Sequence, residues 1–183
     1  MGYAMIAKII KSGRLYHDAE KKLFFIEPYD KIQENIIIPY ATLEANNWGY
    51  LYEKFVGQYF EEKGYSVEYV GLTKGFVDGG IDLIARSKNK SYFIQCKYLM
   101  KSKLTKSKIE NILYKAGNTI SNMEHSRNDT FALVVPDKDL AFSKIKRKNN
   151  SLIAKLEYPL YDYFLTKNHT QEQIRLEVLE IPM

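Results

Sequence analysis

Two long stretches of the chain repeat apolar residues with a helical period. In residues 43–63 the apolar side chains fall within one half of a helical wheel; they are Trp48, Leu51, Tyr52, Phe55, Val56, Tyr59 and Phe60. In residues 106–123 the same period is set by Ile109, Ile112, Leu113, Ala116, Ile120 and Met123. We therefore expect two amphipathic helices, and Gly64 marks the end of the first because glycine is common just after a helix.

Shorter runs of β-branched and aromatic residues predict strands. Three of them come first, at residues 4–11, 22–27 and 35–39, separated by turn-like polar stretches such as Lys-Ser-Gly-Arg. We interpret residues 1–42 as a small N-terminal β appendage. The later strands are residues 66–70, a hairpin within residues 78–98 and the apolar run 130–135, which Pro136 closes.

The remaining stretches are less regular. Residues 138–156 predict a helix, residues 160–167 are ambiguous and residues 174–181 fit a final strand or helix. The order helix, strand, hairpin, helix, strand is typical of a mixed α/β fold, with a mixed sheet flanked by helices. We expect residues 130–135 to run parallel to their neighbour across the preceding helix, and we assign residues 43–183 to one domain.

The hairpin carries three polar residues, Asp82, Gln95 and Lys97, where a buried strand should be apolar. Alternate residues of a strand share a face, so Gln95 and Lys97 point the same way and Cys96 points into the core. With Asn89-Lys90 as a two-residue turn, Asp82 is opposite Lys97. A carboxylate, an amide and an ammonium group then meet on one face.

Charge and composition narrow the function. The net charge is +5, and residues 97–108 contain five lysines and no acid, a cluster that suits a polyanion or a solvated loop. A single cysteine excludes an intramolecular disulfide, and no apolar run reaches membrane-spanning length, so we expect a cytoplasmic location. No nucleotide-binding glycine motif and no His-Glu-x-x-His is present, and the scattered His17, His125 and His169 fit the surface.

Asp82, followed 13 residues later by Gln95-Cys96-Lys97, resembles the active-site signature of the PD-(D/E)xK nuclease superfamily. The lead-in Gly-Gly-Ile-Asp-Leu-Ile-Ala and the Gln-x-Lys form resemble the Mrr-like restriction endonuclease branch, which has Gln where most relatives have Glu. The resemblance covers about residues 47–136. It implies a restriction-endonuclease-like αβββαβ core.

The resemblance also implies a metal-dependent DNA endonuclease that uses Mg²⁺ or Mn²⁺ and acts as a homodimer when it cuts both strands. Asp82 is then the first metal ligand, with Glu53, the Gln95 amide and the Cys96 backbone carbonyl as further ligands. Lys97 positions the attacking water and stabilises negative charge, and Asp78 is secondary. The DNA-binding lysines are Lys101, Lys103, Lys106 and Lys108.

Other interpretations stay open on the sequence. Holliday-junction resolvases share the fold and motif, so the chain fits a structure-selective repair or recombination nuclease. A non-catalytic DNA-binding module would need only the lysines. Asp82 and Lys97 could form a structural cross-strand ion pair, worth ~0.2–1 kcal/mol, and Glu53 could lie on the surface.

Overall fold

The computed structural model describes residues 1–74, 79–126, 128–142 and 175–183. Its helices are α1 (Tyr3–Lys11), α2 (Ala45–Glu62), α3 (Val70–Lys74), α4 (Lys106–Ser121) and α5 (Lys138–Ala141). Its strands are β1 (Gly13–Asp18), β2 (Leu23–Pro28), β3 (Ile36–Pro39), β4 (Ser66–Tyr69), β5 (Leu83–Arg86), β6 (Ser91–Cys96), β7 (Thr130–Val135) and β8 (Arg175–Glu180). A short 3₁₀ helix, Tyr40–Thr42, precedes α2.

The larger of the two sheets in the described ranges has the order β4-β5-β6-β7-β8. Strands β4, β5 and β6 are antiparallel to one another, whereas β6, β7 and β8 are parallel. With α2 before β4 and α4 between β6 and β7, this confirms the mixed α/β class and the predicted αβββαβ order. Residues 174–181, left open between helix and strand, contain β8.

Both faces of this sheet are covered because its strands are apolar on both sides. Phe93 and Ile84 point to the α4 side, where they meet Ile109, Leu113 and other apolar residues of that helix. Their neighbours Ile94 and Leu83 point to the α2 side, against Tyr52, Val56 and Phe60. Both long helices therefore have the apolar faces that their sequence period predicts.

The hairpin register differs from the prediction by two residues. Leu83 pairs with Ile94 and Arg86 with Ser91, and the Ser87 N–H donates to the Lys90 carbonyl at 2.9 Å. The turn is therefore centred on residues 88–89, one position earlier than predicted. Moving a turn by one position shifts the pairing by two, so every side chain keeps its predicted face and only its partner changes.

The first predicted strand is wrong, because residues 4–11 lie in α1. Ile6, Ala7 and Ile10 occupy one side of this helix and are buried, while Lys8 and Lys11 belong to its last turn. The spacing of these buried residues is helical. The β-branched isoleucines favoured a strand in the sequence and hid this spacing. Lysines near a helix C-terminus are also favourable to the helix dipole.

Strand β1 of the small N-terminal sheet begins at Gly13, inside the stretch Lys-Ser-Gly-Arg that the sequence predicts to be turn-like. This glycine reflects a close approach of two backbones instead. A β-carbon on Gly13 would lie 2.1 Å from the carbonyl oxygen of Glu27, its neighbour on β2. Glycine inside a strand often marks such an approach.

Several predictions fall on or next to the ranges without description. The helix expected at 138–156 is described only to Ala141, and Phe142 has extended backbone angles (φ −120°, ψ 149°), so α5 ends there. Outside the described residues lie Asp78, residues 160–167, His169 and the basic group Lys144, Lys146, Arg147 and Lys148.

The structure also bears on the predictions about membrane spans and about the exposure of the histidines. None of the helices in the described ranges is long and apolar enough to cross a membrane. His17, expected at the surface, is half-buried, stacks on Phe24 and shares a hydrogen bond with Tyr40. Burial lowers the pKa of its imidazole, because the charged form loses solvation.

The N-terminal sheet docks onto α2 through a buried amide. Gln58 of α2 accepts from the Leu15 N–H at 2.7 Å and donates to the Leu15 carbonyl at 2.9 Å. Leu15 lies on β1, an edge strand whose polar groups would otherwise be buried without partners. The Gln58 amide thus forms the two hydrogen bonds to Leu15 that the backbone of a neighbouring strand would form. The assignment of residues 1–42 to a separate appendage stays a prediction.

Replacing Gln58 with Leu should lower the free energy of unfolding by about 2–4 kcal/mol, since two buried backbone groups of Leu15 lose their partners. Urea denaturation measures the change. The control is Gln33→Leu, because Gln33 is exposed and its replacement should change stability by about 0.5 kcal/mol or less. Equal stability of the Gln58→Leu variant and the wild type would contradict this account of the docking.

Candidate active site

The predicted catalytic residues meet where β5 begins and β6 ends. Asp82 precedes β5, Gln95 and Cys96 close β6, and Lys97 follows with its backbone N–H donating to the Val134 carbonyl. Antiparallel pairing places the start of β5 beside the end of β6. The hairpin therefore brings residues that are 13 positions apart into contact.

Asp82 is almost fully buried, with 2% of its surface exposed, and its carboxylate is held by two donors. Gln95 Nε2 donates to Asp82 Oδ2 at 2.6 Å, and the Cys96 backbone N–H donates to the same oxygen at 2.7 Å. A buried carboxylate needs such bonds to offset the loss of water. Gln95 and Cys96, at the end of β6, therefore help to hold the Asp82 carboxylate in place.

The second carboxylate, Glu53, reaches the same place from α2. Gly71, in the first turn of α3, lies between the two acids, and its N–H donates to the Asp82 carbonyl at 2.9 Å. The point where a β-carbon of Gly71 would stand is 2.7 Å from Glu53 Oε2 and 3.4 Å from Asp82 Oδ1. Two carboxylate oxygens from different elements therefore converge beside Gly71, and glycine at this position leaves room for the close approach of Glu53.

The two carboxylate residues line a cleft of about 460 Å³. Four predicted residues, Glu53, Asp82, Gln95 and Lys97, line it together with Cys96, and α2 adds Ala45, Asn46, Gly49 and Tyr50. Gly71, Tyr98 and Leu99 complete the lining. The structure thus brings together the residues of the signature and the helix acid, as the sequence predicted.

The Cys96 thiol belongs to the core, as predicted. The residue is buried and packs in the cluster on the α2 side of the sheet. Burial raises the pKa of the thiol well above its usual range, and the nearby carboxylates of Asp82 and Glu53 raise it further. The thiol stays protonated at neutral pH, which argues against a cysteine nucleophile.

The four lysines proposed to bind DNA are all exposed but differ in their contacts. Lys103 Nζ donates to three backbone carbonyls at the end of α5, those of Asp139, Leu140 and Phe142, at 2.9–3.3 Å. Lys103 therefore stabilises the C-terminal end of α5. This contact was not predicted from the sequence. Lys106 forms an exposed ion pair with Glu110.

The cleft-lining residues that were not predicted from the sequence carry no charge. Tyr50 and Tyr98 line the cleft, but in the sequence they resemble the many other tyrosines of the chain. Ala45, Gly49 and Glu53 recur every four residues, a spacing that could have shown a shared helix face. Gly71 has no charge or polar side chain that could have marked it, yet it lies directly beside both carboxylates.

The donor set suits a hard divalent cation. Mg²⁺ prefers oxygen ligands, keeps several waters and needs only one or two carboxylates, which Asp82 and Glu53 supply from two different elements. Within the described residues no three His, Cys, Asp or Glu side chains form a metal-binding group.

Comparison with known proteins agrees with this geometry. Residues 46–124 match the family model Mrr_cat, described as restriction endonuclease. Neither a curated protein nor a solved structure matches the chain. The matched segment includes nearly all of α2, the three antiparallel strands, α4 and the whole predicted signature. Through residues 46–124 the chain is therefore similar to the restriction endonuclease family of this model, which is consistent with an Mrr-like PD-(D/E)xK nuclease.

Proposed function

We propose that the chain is a metal-dependent DNA endonuclease that hydrolyses phosphodiester bonds, with Mg²⁺ or Mn²⁺ as the cofactor. The observation that carries the proposal is the convergence of two carboxylate oxygens, of Glu53 and Asp82, at 2.7 and 3.4 Å from one point beside Gly71 in the cleft. When bound there, a divalent cation supplies Lewis-acid stabilisation of the phosphate and a water of lowered pKa. The nuclease family of residues 46–124 supports DNA as the substrate.

The roles of the protein groups follow from their contacts. Asp82 and Glu53 hold the cation. Gln95 keeps Asp82 oriented, because its amide donates to Asp82 Oδ2 and leaves Oδ1 on the side of Gly71. The resemblance implies the Gln95 amide as a ligand, whereas its hydrogen bond to Asp82 favours a positioning role. Ligation by the Cys96 backbone carbonyl stays a prediction.

Lys97 lines the cleft directly after Cys96 and is only partly exposed. Its ammonium group stabilises the charge that grows on the phosphoryl oxygens and orients the attacking water. A fixed positive charge in a partly desolvated cleft is more effective than one in bulk water. Lys101 and Lys108 lie farther along the chain, exposed, where they contact the DNA backbone.

The central test is cleavage of supercoiled plasmid with Mg²⁺ or Mn²⁺, beside samples with EDTA. Asp82→Asn and Lys97→Met should each slow cleavage by roughly 100-fold or more, since removal of one preorganised charge-stabilising group typically has that effect. The controls Asp30→Asn and Lys88→Met change the same residue types at exposed sites and should cleave like the wild type.

The products of this assay separate the alternatives. We propose a homodimer for double-strand cleavage, so linear product should appear early, and sedimentation velocity should give twice the mass of the chain. Faster cutting of four-way junctions than of linear duplex would favour the repair nuclease. DNA binding without metal-dependent cleavage of plasmid or junction would reject the enzyme in favour of the binding module.

Gly71→Ala tests the metal site without changing a ligand. Its methyl group would stand 2.7 Å from Glu53 Oε2, too close for the carboxylate to keep its position as a ligand. We expect Mg²⁺ to lose its stabilising effect on thermal unfolding and cleavage to fall at least about tenfold, because binding to the native state alone stabilises a protein. Thr73→Ala, an exposed change in the same helix, is the control. Mg²⁺ stabilisation equal to the wild type would refute this location.

Gln95→Glu tests the positioning role. It would place a carboxylate where Gln95 now donates to Asp82, so the metal-free protein should lose roughly 1–3 kcal/mol of stability at pH 7. Lowering the pH to about 5 should restore part of this loss, because one of two adjacent carboxyl groups can then take a proton. Added Mg²⁺ should stabilise the variant more than the wild type. Thermal unfolding with EDTA or Mg²⁺ measures both effects; unchanged stability in EDTA would contradict the role.

A further inference from the structure

The cleft continues past the two carboxylates along the first turns of α2. Ala45, Gly49 and Glu53 are spaced by four residues, so they lie on one face of the helix, and all three line the cleft. At a rise of 1.5 Å per residue this face is about 12 Å long. A floor of small residues therefore leads away from Glu53 towards the beginning of α2.

Gly49 on this floor is not explained by packing. A β-carbon at this position would have no heavy atom within 4 Å, so the surrounding structure leaves room for a side chain. Glycine is also a weak helix former. Because Gly49 has no side chain, the cleft stays open at this position. Gly13 differs, because the neighbouring strand leaves no room there for a side chain.

Two tyrosines line the cleft, and each is braced by a second ring. The Tyr98 ring stacks on Trp48 with centroids 5.6 Å apart and planes 11° apart. The Tyr50 ring contacts Tyr3 at 5.1 Å. Rings that are already held in place lose little conformational freedom when a ligand binds against them. Both are only partly exposed, so each keeps some surface for a ligand.

The cleft is larger than a hydrated cation requires. Six waters occupy about 180 Å³ at their share of about 30 Å³ each in the liquid. The cleft holds about 460 Å³. Volume thus remains for a group of the substrate that is flat and apolar on its faces, in keeping with the tyrosine rings.

We propose that this part of the cleft binds the nucleoside next to the scissile phosphate, with its base against Tyr98 and Tyr50 above the floor at Gly49. The inference rests on the proposed phosphodiester hydrolysis, because the phosphate at the carboxylates places the nucleoside beside it. Stacking on aromatic rings accepts any base. Tyr98 and Tyr50 are therefore substrate-binding residues that position the strand.

Binding of thymidine 5′-monophosphate, compared with methyl phosphate, tests the subsite in the full chain. Trp48 is the only tryptophan of the sequence and stacks on Tyr98, so its fluorescence reports occupancy. The nucleotide should give a saturable change that methyl phosphate does not give. Gly49→Leu and Tyr98→Leu should each weaken nucleotide binding about tenfold, the size of one lost base stack.

Two further variants separate stacking from a structural role. Tyr98→Phe keeps the ring and should bind like the wild type. Tyr114→Leu is the matched control, because Tyr114 is 50% exposed on α4 and does not line the cleft. Circular dichroism checks the fold, and Leu is a better helix former than Gly at position 49. Equal binding of nucleotide and methyl phosphate, or unchanged nucleotide binding by Gly49→Leu, overturns the inference.

Plasmid cleavage with Mg²⁺ distinguishes failure of this inference from failure of the proposed function. If the wild type cuts plasmid but the Gly49 and Tyr98 variants keep its KM and its nucleotide affinity, the subsite is rejected and the nuclease stands. If nucleotide binds with the expected variant pattern but no DNA is cut with any metal, the subsite stands as a binding site and the proposed nuclease is rejected.

Discussion

The buried carboxylate of Asp82 is the group on which the arrangement of the site depends. A carboxylate at 2% exposure is stable only where donors replace its water, and here Gln95 Nε2 and the Cys96 N–H do so. Both donors come from the end of β6, whereas Asp82 precedes β5. The bonds therefore tie the two strands at the cleft and fix which carboxylate oxygen faces Gly71. A site held this way has its shape before any ligand arrives.

Glu53 needs separate support, because it belongs to α2 and not to the sheet. Gln58 joins this helix to β1 through both backbone groups of Leu15. Lys54, 3% exposed, donates to the Tyr29 hydroxyl at 3.1 Å, and its ammonium lies over the Tyr69 ring at 4.9 Å. A buried lysine is tolerated because the rings offer a cation–π contact. The N-terminal elements thus help to hold the helix that carries the second carboxylate.

The sequence predicted which side chains meet in the cleft better than it predicted the residue pairing between β5 and β6. Asp82 and Gln95 share a face because strands alternate with period two, and that inference survived a register error of two residues. The error arose because Lys88-Asn89 and Asn89-Lys90 are both plausible turn centres. What selects between them is distant: Ile84 and Phe93 meet α4, and the Ser91 N–H donates to Asp129 at 2.8 Å. Local turn preference carries no information about such contacts.

The wrong secondary-structure predictions near the N-terminus have a related cause. Isoleucines favour strands locally, yet residues 4–11 are helical because Ile6 and Ile10 can then pack together against the small sheet. Gly13 resembles a turn residue, but its reason is the nearby Glu27 carbonyl. Tertiary contacts overrode propensity in both places. The contacts of Tyr98 with Trp48 and of Gln58 with Leu15 join residues more than 40 positions apart, so no local pattern could show them.

Gln95 places a neutral amide where most of the nucleases that this chain resembles have an acid. Its neutral amide donates to Asp82, whereas a glutamate would add negative charge beside an already buried carboxylate. Like charges at that distance raise a carboxyl pKa and destabilise the metal-free fold. Glutamine therefore favours a site that is ordered when empty, at the expense of attraction for a cation. In the proposed metal site, Asp82 and Glu53, which converge from two elements, would carry most of the metal affinity.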